Sequence, residues 1–134
     1  MSESEKNKKK LRGFAGVIAK QLEPLNENEK FKKKFENVDL KILLNATDGR
    51  YACLIKIEDG SIEFDGIKNS EREKLKQDVL NWDGKLETTT NIFFDLATGK
   101  LSTLNMIGKI ITRKIKIKSV SKVLVLNELF ALLE

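Results

Sequence analysis

The sequence predicts an α+β domain, a mostly antiparallel sheet of about five strands with helices packed on one face. Three observations carry that reading. Residues 38–65 alternate apolar and polar side chains around two Asp-Gly pairs, the pattern of an antiparallel meander. Apolar residues spaced three and four apart, before and after that region, paint single stripes on helices. Near the C-terminal end a lysine-isoleucine alternation runs straight into an apolar helix.

Residues 1–10, MSESEKNKKK, read as a disordered polar leader, and residues 11–134 as one domain, because 134 residues are too few for two cores. Leu11, Phe14, Ile18, Leu22 and Leu25 share one stripe, predicting a helix that runs to about Pro24. Phe31, Phe35 and Val38 mark a second short helix opened by Asn26 or Asn28. In VDLKILLNA, the residues Val38, Leu40, Ile42, Leu44 and Ala46 share a face. TDGR then turns the chain into YACLIKIE, where Tyr51, Cys53, Ile55 and Ile57 do the same. Asp59-Gly60 turns it again, with Ile62 and Phe64 inward and Glu63 and Asp65 outward, so the meander is expected to be wet on one side.

Ser70 and Glu73 form a capping-box pattern ahead of a helix from about 71 to 80, with Leu75 and Val79 on its inner face. GKLETTT predicts a fourth strand. NIFFDLATG predicts a helix capped near Thr90 and closed by Gly99, and LSTLNMIG another turn of helix. The last strand sets Lys114, Lys116 and Lys118 on one face and Ile115 and Ile117 on the other. From Ser119 or Ser121 the chain turns helical, with Val123, Leu126, Leu129, Phe130 and Leu133 on one side, widened by Leu124, Val125 and Leu132.

Composition removes several function classes. There is no histidine, so histidine-dependent catalysis is excluded, and the single Cys53 cannot form an internal disulfide. No nucleophile elbow, phosphate loop or metal-binding spacing is present, and the expectation is a protein that is not an enzyme and holds no metal or cofactor. Glu58, Asp59, Glu63 and Asp65 read as a solvated turn, and Cys53 as a small core residue. No run is long enough to span a membrane and residues 1–12 lack a secretory signal's apolar stretch, which points to a cytoplasmic protein.

The charge is lopsided. Between Leu96 and Asn127 there is no acidic residue, while seven Lys or Arg side chains fall there, against +5 for the whole chain. That asymmetry suits an anionic partner, a membrane surface or nucleic acid, although a solvated strand face is an equal reading. The cations are mostly lysine and the basic strand carries no aromatic side chain for base stacking, so specific nucleic-acid recognition is not expected. The apolar inventory is more particular: Phe14, Phe93, Phe94, Leu101, Leu104, Met106, Ile107, Leu126, Phe130 and Leu133 all converge on one sheet. A filled core, a homodimer interface and a ligand cavity each account for that surface, and the residues leave the three open.

The C-terminal half resembles the sterol carrier protein 2 family, the nonspecific lipid-transfer domain. The matching positions are Thr98, Gly99, Lys100 and Leu101, then Gly108, Lys109 and Ile110, then Ile115, Lys116 and Ile117, followed by the apolar helix. With the preceding meander and helices in the expected order, the similarity covers roughly residues 11 to 134. The chain departs from the family pattern at Ser119-Val120-Ser121, and about four residues around Ile111 to Lys114 are extra.

The resemblance implies a five-stranded α+β fold with a hydrophobic tunnel beneath the C-terminal helix, holding a sterol, fatty acyl or other lipid chain. It also implies a noncatalytic role in intracellular lipid binding or intermembrane transfer. Phe14, Ile42, Leu44, Phe93, Phe94, Leu101, Leu104, Met106, Ile107, Val123, Leu126, Leu129, Phe130 and Leu133 would then form the lipid-binding wall. Lys114, Lys116 and Lys118 would face anionic headgroups, and residues 119 to 134 would form the lid. The alternative is a small interaction module that dimerises or docks through its apolar C-terminal helix, without a ligand.

Overall fold

The computed structural model describes residue 11 and residues 13–70, 72–97 and 115–133; of Arg72, Leu96 and Ala97 only the backbone is described. The expected leader at 1–10, the helix at 101–107, the wall residues Leu101, Leu104, Met106 and Ile107, and Lys114 lie outside these residues.

Helix α1 (Gly13–Leu22) ends one residue before Glu23 and Pro24, where the chain tightens into a 3₁₀ turn, Glu23–Glu27. A proline ring cannot continue the helix ladder but fits the first turn of a new one, which is why the break falls there. Asn28 opens α2 (Glu29–Lys34), its side-chain oxygen accepting from the Phe31 N–H at 2.9 Å. Three strands follow, β1 (Asp39–Ala46), β2 (Tyr51–Glu58) and β3 (Ser61–Lys68). Asp59 and Gly60 both take positive φ, 46° and 76°, the backbone of a two-residue hairpin turn whose twist matches its strands. The Asp48-Gly49 loop is wider, and Asp48 is used elsewhere.

Strand β4 (Gly84–Thr88) pairs in parallel with β1, and β5 (Lys116–Lys118) pairs antiparallel with β4, giving the order β3-β2-β1-β4-β5. The sheet is therefore mixed, antiparallel at three of its four junctions. Helix α4 (Thr90–Ala97) follows β4, and the chain ends in α5 (Val120–Val123) and α6 (Val125–Ala131). Against one sheet face, a core gathers Phe14, Ile18 and Leu22 of α1, Ile42 and Leu44 of β1, Ile55 and Ile57 of β2, Leu86, Ile115, Leu126 and Leu129. Gly84 lets α5 lie on the sheet: a Cβ there would stand 3.1 Å from both the Lys122 Cβ and the Val123 Cγ2. Cys53 is fully buried in this core, and burial pushes its thiol pKa up, which keeps it protonated and inert.

Two expectations need correction. The opposite face of the meander is not simply wet: Leu43, Ala52 and Leu54 form a second small core with Leu75 and Trp82. The continuous runs ILL and ACLI carry that signal, because a strand buried on both faces loses its alternation. Residues 71 to 80 are also not one helix. A 3₁₀ turn, Arg72–Leu75, is cut by an extended Lys76 (φ −68°, ψ 150°) before the single-turn α3 (Gln77–Leu80). The break brings both Leu75 and Trp82 onto the sheet; the Trp82 indole N–H donates to the Leu75 carbonyl at 3.0 Å and the Gln77 amide to the Trp82 carbonyl at 3.1 Å. Val79, expected beside Leu75, is 54% exposed.

Candidate ligand-binding site

The inner sheet face, α1, α4 and the two C-terminal helices enclose a seam. Period-two alternation aims Leu44 and Leu86 into it from neighbouring strands, and helical spacing brings Ile18, Phe93, Val123, Leu126 and Phe130 over them. Leu124 and Asn127 complete the lining, and among the described residues the Asn127 side chain is its only polar one. The void itself is about 10 Å³, close to the smallest space that holds one water molecule.

Of the expected wall residues, Leu44, Phe93, Val123, Leu126 and Phe130 meet around this seam. Ile42 and Leu129 are wholly buried in the adjoining core. Leu133 is 36% exposed and lies beyond the end of α6. Ile18, Leu86, Leu124 and Asn127 line the seam but were not among the expected wall residues. Ile18 was legible as part of the α1 stripe and Leu86 as the apolar centre of the threonine-rich strand. Asn127 stands four residues after Val123 and three before Phe130, so helical spacing puts it beside the apolar stripe, but as a polar residue it was not counted there.

Phe14 and Phe94 line a different space, an open depression of about 500 Å³ with Gly13, Val17, Gly49, Arg50, Tyr51 and Thr90. The Phe14 and Phe93 rings, 4.6 Å apart between centroids and inclined at 42°, stand between this depression and the seam. One polar contact fixes Thr90, which lines the depression. Asp48, in the β1–β2 loop, accepts from both the N–H and the hydroxyl of Thr90 at 2.8 Å, capping α4 from outside its own chain segment. Those two bonds hold the Asp48 carboxyl below its usual range.

Helix α6 is tied to α2 by two polar contacts. The Asn28 amide donates to the Leu132 carbonyl at 3.0 Å, and Lys34 Nζ lies 3.6 Å from Glu128 Oε1. The second, between well-exposed side chains, contributes little.

The isoleucines and lysines of the last strand divide as expected: Ile115 is buried and Ile117 half-buried, while Lys116 and Lys118 are exposed. The lysines stand on the sheet face opposite the seam. That face is not purely basic. Glu87, opposite Lys116 in the ladder, accepts from the Asn45 amide at 2.9 Å and lies 3.4 Å from Lys85 Nζ. Desolvation pushes its pKa up, but the Asn45 hydrogen bond and the Lys85 and Lys116 charges outweigh it, and the carboxyl stays below its usual range. The acidic cluster is likewise engaged: Lys56 Nζ is 2.8 Å from Asp65 and 3.9 Å from Glu63, and Asp59 accepts from the Asn37 N–H. Among the described residues no helix is long and apolar enough to cross a membrane.

A mixed five-stranded sheet with an apolar seam roofed by C-terminal helices defines a domain of the sterol carrier protein 2-like fold. The chain is similar in structure to a UbiJ-SCP2 ubiquinone synthesis protein, with a TM-score of 0.54 and 8% identity over 99% of this chain and 93% of that one. A Thermus thermophilus protein described as a conserved hypothetical protein and a suspected sterol carrier protein matches with a TM-score of 0.54 and 14% identity, over 91% of this chain and 87% of that one. The stereoselective inverting sec-alkylsulfatase Pisa1 from Pseudomonas sp. also matches, with a TM-score of 0.54 and 17% identity over 77% of this chain. The chain spans 14% of that enzyme's length. No protein-family model and no curated protein sequence matches the chain.

Proposed function

We propose that this chain is a noncatalytic binding domain for a lipid or another hydrophobic chain, and that it exchanges its ligand at an anionic membrane surface. The observation that carries this reading is the apolar seam beneath α5 and α6, whose only polar lining side chain among the described residues is Asn127. The fold neighbours add weight, since two of them are described as a ubiquinone synthesis protein and a suspected sterol carrier. With about 10 Å³ of free space, the seam accepts a chain only when the apolar side chains lining it part around the ligand. Burial then supplies the driving force: about sixteen methylene groups at ~0.8 kcal/mol each give on the order of 12 kcal/mol gross. Ordering the ligand and the lid offsets a large part of that. A wall with so few polar groups discriminates weakly between chains, so broad specificity follows. Lys116 and Lys118, on the last strand in the sheet order, give the membrane contact in this reading.

Native mass spectrometry of the purified protein, paired with mass spectrometry of its organic extract, tests the proposal. Bound host lipid near one per chain is the expected result. A clean apo mass, unchanged after fatty acids, sterols and phospholipids are offered, would mean that the seam is ordinary filled core.

A further inference from the structure

We infer that the open depression beside the Phe14–Phe93 pair is the mouth of the lipid site, and that Arg50 there selects single-chain amphiphiles with an anionic headgroup. The inference rests on the lipid-binding reading above and adds to it a place of access and a preference for charge.

The two spaces differ in room. The seam under α6 is apolar but holds about 10 Å³, whereas the depression offers about 500 Å³, within the range of small-ligand sites. The two spaces adjoin. Phe14 and Ile18 stand four residues apart on α1, one turn of helix, and line the depression and the seam respectively. Phe93 and Phe94 divide in the same way on α4. The Phe14 and Phe93 rings touch across the boundary, so rotation of this one pair would join them.

The depression has the composition of an amphiphile's neck. Phe14, Val17, Tyr51 and Phe94 supply apolar and aromatic surface, and Arg50 is its only cation among the described residues. Arg50 is exposed and has no ion pair among the described residues, so its guanidinium is available to an incoming anion. Asp48 is the acid of the same loop, and its Oδ1 accepts from both the N–H and the hydroxyl of Thr90. Those bonds also occupy the Thr90 hydroxyl proton, which leaves the guanidinium as the charged donor that reads the headgroup, with the Tyr51 hydroxyl as a neutral donor in the same lining. A carboxylate and a phosphate monoester both fit that chemistry, and the test separates them.

Binding of palmitate, monohexadecyl phosphate and the neutral isostere hexadecanol is measured on the intact chain by displacement of a fluorescent fatty acid, and repeated with Arg50→Gln. The wild type is expected to bind one or both anions about tenfold more tightly than hexadecanol. Arg50→Gln should lose that preference while hexadecanol affinity stays unchanged, and the tighter of the two anions identifies the headgroup class. Equal affinity for all three in the wild type, or a preference that survives Arg50→Gln, overturns the role of Arg50 and leaves lipid binding standing. Failure of every amphiphile to bind overturns the lipid-binding reading and this inference together. Arg50 is exposed, so a folding defect does not confound the variant.

Discussion

The Asn28 side chain joins two distant parts of the chain, accepting from the Phe31 N–H at 2.9 Å with its oxygen and donating to the Leu132 carbonyl at 3.0 Å with its nitrogen. One residue thus starts α2 and ties down the end of α6. Asn28→Ala loses both contacts and should cost about 1–2 kcal/mol of stability. Asn28→Asp keeps the cap and loses the donor, so it should stay nearer the wild type in denaturant unfolding while amide exchange across α6 accelerates. Unchanged exchange in α6 of Asn28→Asp would show that the Leu132 contact does not restrain the lid.

Phe130 lines the seam yet is only half-buried, which makes it the better place to introduce charge than the buried Leu126. Phe130→Asp puts a carboxylate where an apolar chain would lie, and lipid uptake should fall at least about tenfold in a protein that still shows a cooperative melt. Leu126→Ala, by contrast, should cost about 2–5 kcal/mol through the cavity it leaves. Wild-type uptake by folded Phe130→Asp would sink the placement of the ligand.

Asp48 links stability to acidity. Its folded pKa lies below the 3.8 of an ordinary aspartate, chiefly through the Thr90 backbone bond and then the Thr90 hydroxyl. Its stabilising contribution is therefore complete above the unfolded value and is lost as pH falls through the folded one. The melting-temperature advantage of the wild type over Asp48→Ala should be constant near neutrality and shrink below pH 3.8. An advantage that persists unchanged into stronger acid would mean that the carboxylate charge is not what caps α4.

Lys116 and Lys118 differ in their surroundings, and so should their variants. Lys116 faces Glu87 in the ladder, whereas Lys118 pairs with Lys85, and like charges there gain from a nearby anion. Each free lysine is worth about 1 kcal/mol at an anionic surface. Lys118→Gln should weaken binding to phosphatidylserine-containing vesicles by roughly fivefold and Lys116→Gln by less, as read by co-sedimentation at low salt. Equal, negligible losses would remove this face from the membrane contact.

Sequence alone carried most of the architecture, because it was written in short-range patterns. Alternation in residues 38–65, the Asp59-Gly60 turn, a cap at Asn26 or Asn28 and the stripe from Leu11 to Leu25 each depend on neighbours within a few residues. The same local rules placed Ile115 and Ile117 inward and Lys116 and Lys118 outward. They could not show that Leu75 and Trp82 close over Leu43 and Leu54, since the break at Lys76 is set by a surface far along the chain. Nor could they separate Phe93 from Phe94, adjacent residues of which one faces the seam and the other the open depression. Parallel pairing of β4 beside β1, the Asp48 cap on α4 and the tether of Leu132 to Asn28 join residues some forty to a hundred positions apart. Periodicity reports which face of an element is apolar; which other element covers that face is decided only when the whole chain packs.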